Sequence, residues 1–359
     1  MIKFRKFPST VQFSGFVKTA RDHANWNKQP LPKIKVSGGI KLHGTNAGIG
    51  FDGTDIWFQS KENILTYEAD NAGFATWGIR ETEKLKLIFS VLQVHLIDKF
   101  DAIYIFGEWF GSSIQKNVGV SQIAEKHLGV FQIVAVKTTV VPCAVVGEDG
   151  VTENIVEELK FLDPVAFHDL FQSLIRNVVV IDAMVPPIVL EIDLESPHLV
   201  QNKLLELTLA VEAECPLAKT FGVDGGVGEG LVWSPDGCPH LPKFKTKGEK
   251  HSTSKVKTTR ELTEAEITIK NSAAEFVEFA CSENRMKQGI DKLGEMGLAL
   301  DPKSMGAYLK WLGNDVLTEC GDTLAQSGIE RKDVMPPIAQ KAKSWFFAYL
   351  ANEVGLETA

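Results

Sequence analysis

The sequence predicts an α+β fold followed by a small all-helical C-terminal part, and three observations carry that prediction. The 359 residues exceed what one hydrophobic core usually serves, so two domains are expected. Short apolar runs bounded by glycines alternate with helix-period stretches through the first two-thirds of the chain. After Arg260 the strand signals stop, and three apolar stripes at helical spacing follow one another. The division is expected at 258/259, with residues 1–258 as the α+β domain and 259–359 as the helical one.

The elements follow in order. Residues 34–36 read as a strand, and a Gly38-Gly39 break separates it from Lys41. Residues 47–51, 55–59, 103–106 and 130–136 are further strands. Residues 83–99 carry Leu85, Leu87, Ile88, Leu92 and Leu96 near helical spacing. Residues 163–175 form a helix with Asp163 as N-cap and Pro164 in the first position. A short strand over 178–182 precedes a helix over 199–215 that stops before Pro216. Leu231-Val232-Trp233 and the alternating run Phe244 to Lys247 close the strand list. In the tail, Thr263-x-x-Glu266 is a capping box ahead of a helix with Ile269, Ala273, Phe276, Val277 and Ala280 on one face. Asp301-Pro302 opens the next helix, with Met305, Leu309, Leu312 and Val316, and Pro336-Pro337 opens the last, with Ile338, Ala342, Trp345, Phe346 and Tyr349. Core packing accounts for these stripes.

Composition excludes several classes. At 44% hydrophobic and 23% charged residues the chain reads as an ordinary soluble globular protein. No run of about eighteen apolar residues is present, so no membrane association is expected, and the N-terminus lacks the apolar core of a signal peptide. Cys143, Cys215, Cys238, Cys281 and Cys320 are an odd set without Cys-x-x-Cys spacing. That argues for reduced thiols in a cytoplasmic protein and against zinc. The net charge of −8 sits badly with a nucleic-acid partner. It is uneven, however: Lys243, Lys245, Lys247, Lys250, Lys255, Lys257 and Arg260 face only Glu249 between 243 and 260. That stretch is either a local field for RNA or a basic linker, and the two are compatible.

Chemistry concentrates in three pieces. Lys41-Leu42-His43-Gly44-Thr45-Asn46 places a lysine between a strand and a glycine turn. A lysine becomes a nucleophile only when its ordinary pKa of about 10.4 is lowered and the neutral amine is exposed; otherwise Lys41 is a solvated hairpin residue. Glu229 follows the turn Gly225-Gly226-Val227-Gly228 and leads into Leu231-Val232-Trp233. A carboxylate there suits Mg²⁺, a hard cation that bridges to phosphates. Lys245 and Lys247 alternate with Phe244 and Thr246, so both lysines share one strand face. Two ammoniums on one face call for an anion such as a triphosphate, unless they guard a solvated edge. Glu108, within Phe106-Gly107-Glu108-Trp109-Phe110-Gly111, is a lone acid in an aromatic strand and suits a ribose hydroxyl or a metal.

Together these blocks resemble the RNA ligase 2 family of bacteriophage and related RNA-repair ligases, within the superfamily of DNA ligases and capping enzymes. The resemblance runs through Lys41 to Asn46, Phe106 to Glu108, Ile114-Gln115-Lys116-Asn117-Val118, Val130-Phe131, Glu229-Gly230 and Lys245-x-Lys247. It continues through Asn284-Arg285, Leu293 to Gly297 and Asp315 to Glu319. Ile40 stands where the family often has an acid, and Lys61 where it often has a basic phosphate ligand. Residues between Phe131 and Glu229 match poorly.

What the resemblance implies is an ATP-grasp-like adenylylation domain of antiparallel sheets and helices, then a helical RNA-binding domain. It implies ATP, with AMP carried covalently on Lys41, and Mg²⁺ (or Mn²⁺) on Glu229. Lys245 and Lys247 join Lys41 in catalysis. Leu42, Asn46, Lys61, Glu108, Phe131 and Glu229 contact the nucleotide together with Lys245 and Lys247; Phe131 stacks on adenine and Glu108 binds ribose. Lys116, Asn117, Arg285, Asp315 and Glu319 bind RNA. The expected enzyme is a monomer that seals 5′-phosphate to 3′-hydroxyl RNA ends at nicks or in duplexes, in the cytoplasm of a bacterial or phage-infected cell. A DNA ligase or capping enzyme would share the core, but the helical tail and the Ile114 to Val118 segment weigh against both. A non-catalytic RNA-binding relative would have lost Lys41 or Glu229, and both are present.

Overall fold

In a computed structural model of the chain, residues 4–147, 150–248, 250–251, 273–327 and 329–357 are described. They form two compact units, each assembled from separated stretches. One comprises Thr10–Lys41, Ile188–Glu214 and Val227–Ala359; the other comprises Met1–Ser9, Leu42–Pro187 and Cys215–Gly226. The expected division at 258/259, the capping box at Thr263 and the stripe residue Ile269 lie outside the described residues, as do Lys255, Lys257 and Arg260.

The first unit holds a five-stranded sheet of β1 (Val11–Gln12), β12 (Phe244–Lys247), β11 (Gly230–Pro235), β2 (Lys33–Lys41) and β10 (Ile188–Asp193), in that spatial order. All pairings are antiparallel except β1 with β12. Alternation sorts the side chains: Ile34, Val36, Ile40, Leu231, Trp233 and Phe244 are buried, while Ser37, Gly39, Lys41, Val232, Lys245 and Lys247 point the other way. Helices α1 (Phe13–Trp26) and α6 (Gln201–Ala213) pack on this sheet. Helix α1 was not anticipated, although Phe16, Val17, Ala20 and Ala24 make its buried stripe. The Phe16 and Phe244 rings lie 4.8 Å apart.

The same unit carries the tail helices α8 (Ala273–Ala280), α9 (Glu283–Glu295), α10 (Met305–Ser327) and α11 (Arg331–Glu357) around their own core. Two expectations shift here. The core stripe of α10 is Tyr308, Leu312, Val316, Cys320 and Leu324 at strict four-residue spacing, so Tyr308 takes the central place expected of Leu309. Helix α11 starts at Arg331, ahead of Pro336-Pro337. Proline costs a helix its i→i−4 bond, yet Val334, Ile338, Ala342, Phe346 and Leu350 form one buried stripe that reaches back past both prolines. Apolar burial outweighs the lost bonds.

The second unit is a seven-stranded sheet. Its path is β5 (Ile64–Leu65), β4 (Ile56–Gln59), β3 (Thr45–Phe51), β6 (Ala102–Phe110), β7 (His127–Gly147) and β8 (Gly150–Leu162), with β9 (Val178–Val180) parallel to β7. One face, with Ile49, Ile105, Leu128 and Ile133, packs under helices α2 (Phe74–Arg80), α3 (Thr82–Leu96) and α4 (His168–Leu174). The short helices α5 (Ile181–Met184) and α7 (Pro216–Thr220) complete the unit. The opposite face gathers Trp57, Tyr104, Phe106, Val134 and Val136, with Phe7 and Phe131 packed against them. Residues 4–8 run along this face: Arg5 exchanges backbone-to-amide bonds with Gln59, and its guanidinium donates to Glu157 at 2.9 Å.

Val334→Ala tests the early start of α11. At 0% exposure this side chain is core only if the helix reaches back past the prolines. The expected loss is about 2 kcal/mol in urea unfolding; an unchanged midpoint would put the helix start at Pro336.

Candidate active site

The sheet of the first unit builds a row of like charges. Lys41 at the end of β2 is paired across with Gly230, and Gly230 with Lys247. Neighbouring strands sit about 4.8 Å apart, so the two lysines flank one glycine roughly two strand spacings from each other. Gly230 has φ 146°, and a Cβ there would strike the Thr246 carbonyl. Only glycine fits. Glu229, 3% exposed, compensates the row: Lys41 Nζ donates to its Oε2 at 2.7 Å and Lys247 Nζ to its Oε1 at 3.0 Å. Burial holds Lys247 below the ordinary lysine range; Glu229 opposes that shift, while Lys41 and Lys245 add to it. Lys245, two residues along on the same face, donates to Glu319 Oε1 of α10 at 2.8 Å. Ile40, at the position where the family often has an acid, turns into the core at 8% exposure, because alternation sends it opposite to Lys41.

As a metal site this arrangement is specific. Among the described residues no three His, Cys, Asp or Glu side chains are grouped so as to hold a metal ion. Glu229 is a single carboxylate, which suits a Mg²⁺ that brings phosphate and water as its other ligands, not a resident ion in a protein cage.

The second unit contributes a separate set. Asn46 of β3 pairs with Glu108 of β6, so both lie on the sheet face that carries Phe106. Glu108 Oε1 accepts from the Gly44 N–H at 3.1 Å. A Cβ at Gly44 would strike the Trp109 carbonyl, so the close approach this glycine permits is to strand β6. Phe131 sits in a register shift: Gly107 pairs with Val130 and Phe106 with Gln132, leaving Phe131 as the extra residue. A bulge re-aims side chains, and Phe131 lands edge-on to Phe7 at 5.0 Å. Leu42 is 4% exposed and packs beside Gly129, which makes it an anchor for the Lys41 turn. Lys61, half-buried, follows β4 in a turn held by Ser60 and Asn63.

The Ile114 to Val118 segment is anchored by buried Ile114 and Val118, with Lys116 and Asn117 exposed. Ser113, Gln115 and Asn117 all have φ between 60° and 65°, which is rare for residues other than glycine. The Gln115 amide donates to the Gly44 carbonyl at 3.0 Å, so this segment is tied to the Lys41 turn.

In the tail, Arg285 departs from the expected phosphate contact. It is 0% exposed, and its guanidinium donates to Asp315 Oδ2 at 2.9 Å, to the Ala280 carbonyl and to Cys320 Sγ. A guanidinium engaged in this way knits α8, α9 and α10 together. Gln12, which donates to the other oxygen of Glu319, was not singled out from the sequence. The stripe that begins at Phe13 is the signal that would have placed it at the start of a helix.

A family model described as RNA ligase matches residues 36–257, well over half of the chain. No curated protein matches the sequence. Among solved structures, a Naegleria gruberi RNA ligase with PPi is similar at 16% identity and a TM-score of 0.39, over 68% of this chain and 57% of that one. A variant of the same ligase with ATP and Mn gives 15% identity and a TM-score of 0.37, over 68% and 56%. The chain thus spans a little over half the length of these solved chains.

The charge row makes a titration prediction. By NMR, the Lys247 ammonium is expected to titrate below the ordinary 10.5. Glu229→Gln should lower it further, because the carboxylate is what holds the proton on. A value at or above the ordinary one would mean that Lys247 is neither desolvated nor crowded by its neighbours.

Proposed function

Because the chain belongs to the RNA ligase family, we propose that it is an ATP-dependent RNA ligase that joins 5′-phosphate to 3′-hydroxyl ends through Lys41. The row Lys41, Gly230 and Lys247 with Glu229 between the two ammoniums is the observation that carries this reading. In the first step the neutral Lys41 Nζ attacks the α-phosphorus of ATP. An N–P bond forms, the bond to the bridging oxygen breaks, and pyrophosphate leaves with that electron pair. The attack begins when the Lys41–Glu229 pair breaks and the ammonium releases one proton to water; a second goes to water as the phosphoramidate forms. Lys245 and Lys247 are fixed cations for the charge that grows on the phosphate oxygens.

Phe131 stacks on adenine and Glu108 binds ribose, with Leu42, Asn46 and Lys61 completing the nucleotide contacts. These roles follow the resemblance. Glu229 would hold Mg²⁺ or Mn²⁺, which supplies charge withdrawal from the phosphates. In the second step an oxygen of the RNA 5′-phosphate attacks the lysyl-AMP phosphorus, the N–P bond breaks and Lys41 regains its proton. In the third step the RNA 3′-hydroxyl attacks the activated 5′-phosphate and AMP leaves. Lys116 and Asn117 contact RNA from their exposed positions. The substrate class is duplex or nicked RNA, handled by a monomer.

Labelling with radioactive ATP tests the first step. Lys41→Ala should remain folded and take no label; a labelled variant would refute the assignment. Glu229→Ala should label about 100-fold more slowly or worse at saturating ATP, since its loss lies in transition-state charge. Sealing of nicked duplex RNA should exceed that of single-stranded RNA and of nicked DNA; equal sealing of nicked DNA would remove the RNA preference.

A further inference from the structure

We infer that Glu319 is a positioning residue that holds Lys245 in place of a nucleotide phosphate, so that the helical tail and the triphosphate compete for one ammonium. The inference rests on the ligase reading for the identity of the triphosphate. Lys245 shares its strand face with Lys247 and lies two positions from it. Its Nζ is 2.8 Å from Glu319 Oε1, and the Gln12 amide donates to Oε2 of the same carboxylate. Gln12 is the register partner of Lys245 on β1, so one carboxylate is clasped by two adjacent strands. At 8% exposure it is almost fully withdrawn from water. Two oxygens engaged by an ammonium and an amide donor are what a phosphate would offer at the same place.

The helix that brings Glu319 there is firmly set. One turn earlier on α10, Asp315 accepts from the buried Arg285. The Gln288 amide of α9 donates to the His251 carbonyl at 3.0 Å, in the stretch that follows β12. The tail is therefore docked on the strand that carries both lysines.

Charge decides the consequence. Three ammoniums against Glu229 and Glu319 leave the cluster with little net charge for an incoming anion. A triphosphate carries several negative charges, and a carboxylate already on Lys245 repels it at short range. The coupling is reciprocal: triphosphate weakens tail docking as much as docking weakens triphosphate binding. Apparent ATP affinity then falls by the fraction of molecules in which Glu319 has let go. Once pyrophosphate departs, Glu319 returns to Lys245.

Labelling of the full chain over a range of ATP concentrations tests this, with thermal melting followed in parallel. Glu319→Gln keeps the side-chain shape and removes the charge. Its KM for ATP should fall on the order of tenfold with kcat within about twofold of the parent. Glu319→Asp, which keeps the charge, should retain a KM near the parent value. An unchanged or raised KM, or a collapse of kcat, in a folded Glu319→Gln protein overturns the inference. Should that variant not fold, hydrogen exchange on the unaltered chain decides: tripolyphosphate should speed exchange in α10 around Glu319, and unchanged or slower exchange overturns it. Absence of label on the unaltered chain would strike the ligase reading instead, while the exchange measurement still judges Glu319.

Discussion

One buried carboxylate allows the candidate site to exist. Lys41 and Lys247 are held on either side of a residue without a side chain, and two ammoniums so placed repel each other through a poorly hydrated space. Glu229 removes that cost by accepting from both. Its own burial is affordable because neither oxygen is left without a cation. The three residues are thus one unit in charge, and none can be changed without altering what the other two meet. The sheet is arranged around this need: Gly230 must be glycine, the core side chains alternate away from the row, and β12 pairs with β11 in the register that brings Lys247 level with Lys41.

The turn after Lys41 is fixed by a second, independent set of bonds. The Gly44 N–H donates to Glu108, and the Gly44 carbonyl accepts from the Gln115 amide. Both partners come from blocks that read as separate motifs along the chain, one in a strand and one in a segment of three left-handed residues. Strain at Ser113, Gln115 and Asn117 costs roughly a kcal/mol or more per residue. Anchoring by Ile114, Val118 and the Gln115 amide is what over-determines the conformation and leaves Lys116 and Asn117 presented to solvent.

What was legible in the sequence was what local periodicity writes. The alternation around Lys245 and Lys247 put both lysines on one face, and the structure has them there. Asp163 ahead of Pro164 is the N-cap as read, accepting from the Val165 N–H. The bulge at Phe131 was not legible, because an extra residue in one strand leaves no compositional mark. Nor was the start of α11, where prolines suggest a beginning and only the buried stripe through Val334 overrules them. The pairing of Glu319 with Lys245 is non-local and joins residues far apart in the chain, so spacing alone does not reveal it. The burial of Arg285 was not legible either: its bond to Asp315 joins residues on two helices and makes it a brace.

Charge sets a further constraint. With a net charge of −8, general attraction to any polyanion is weak, so a local attraction has to come from a few placed cations. Three of those cations stand on adjacent or neighbouring strands, and each is matched to a carboxylate. Such matching keeps the cluster from attracting any passing anion. It also means that a ligand must displace a carboxylate before it gains a lysine, and only a ligand with several charges in the right spacing recovers that loss. The acids that hold the lysines together thus also set how many charges an anion needs to displace them.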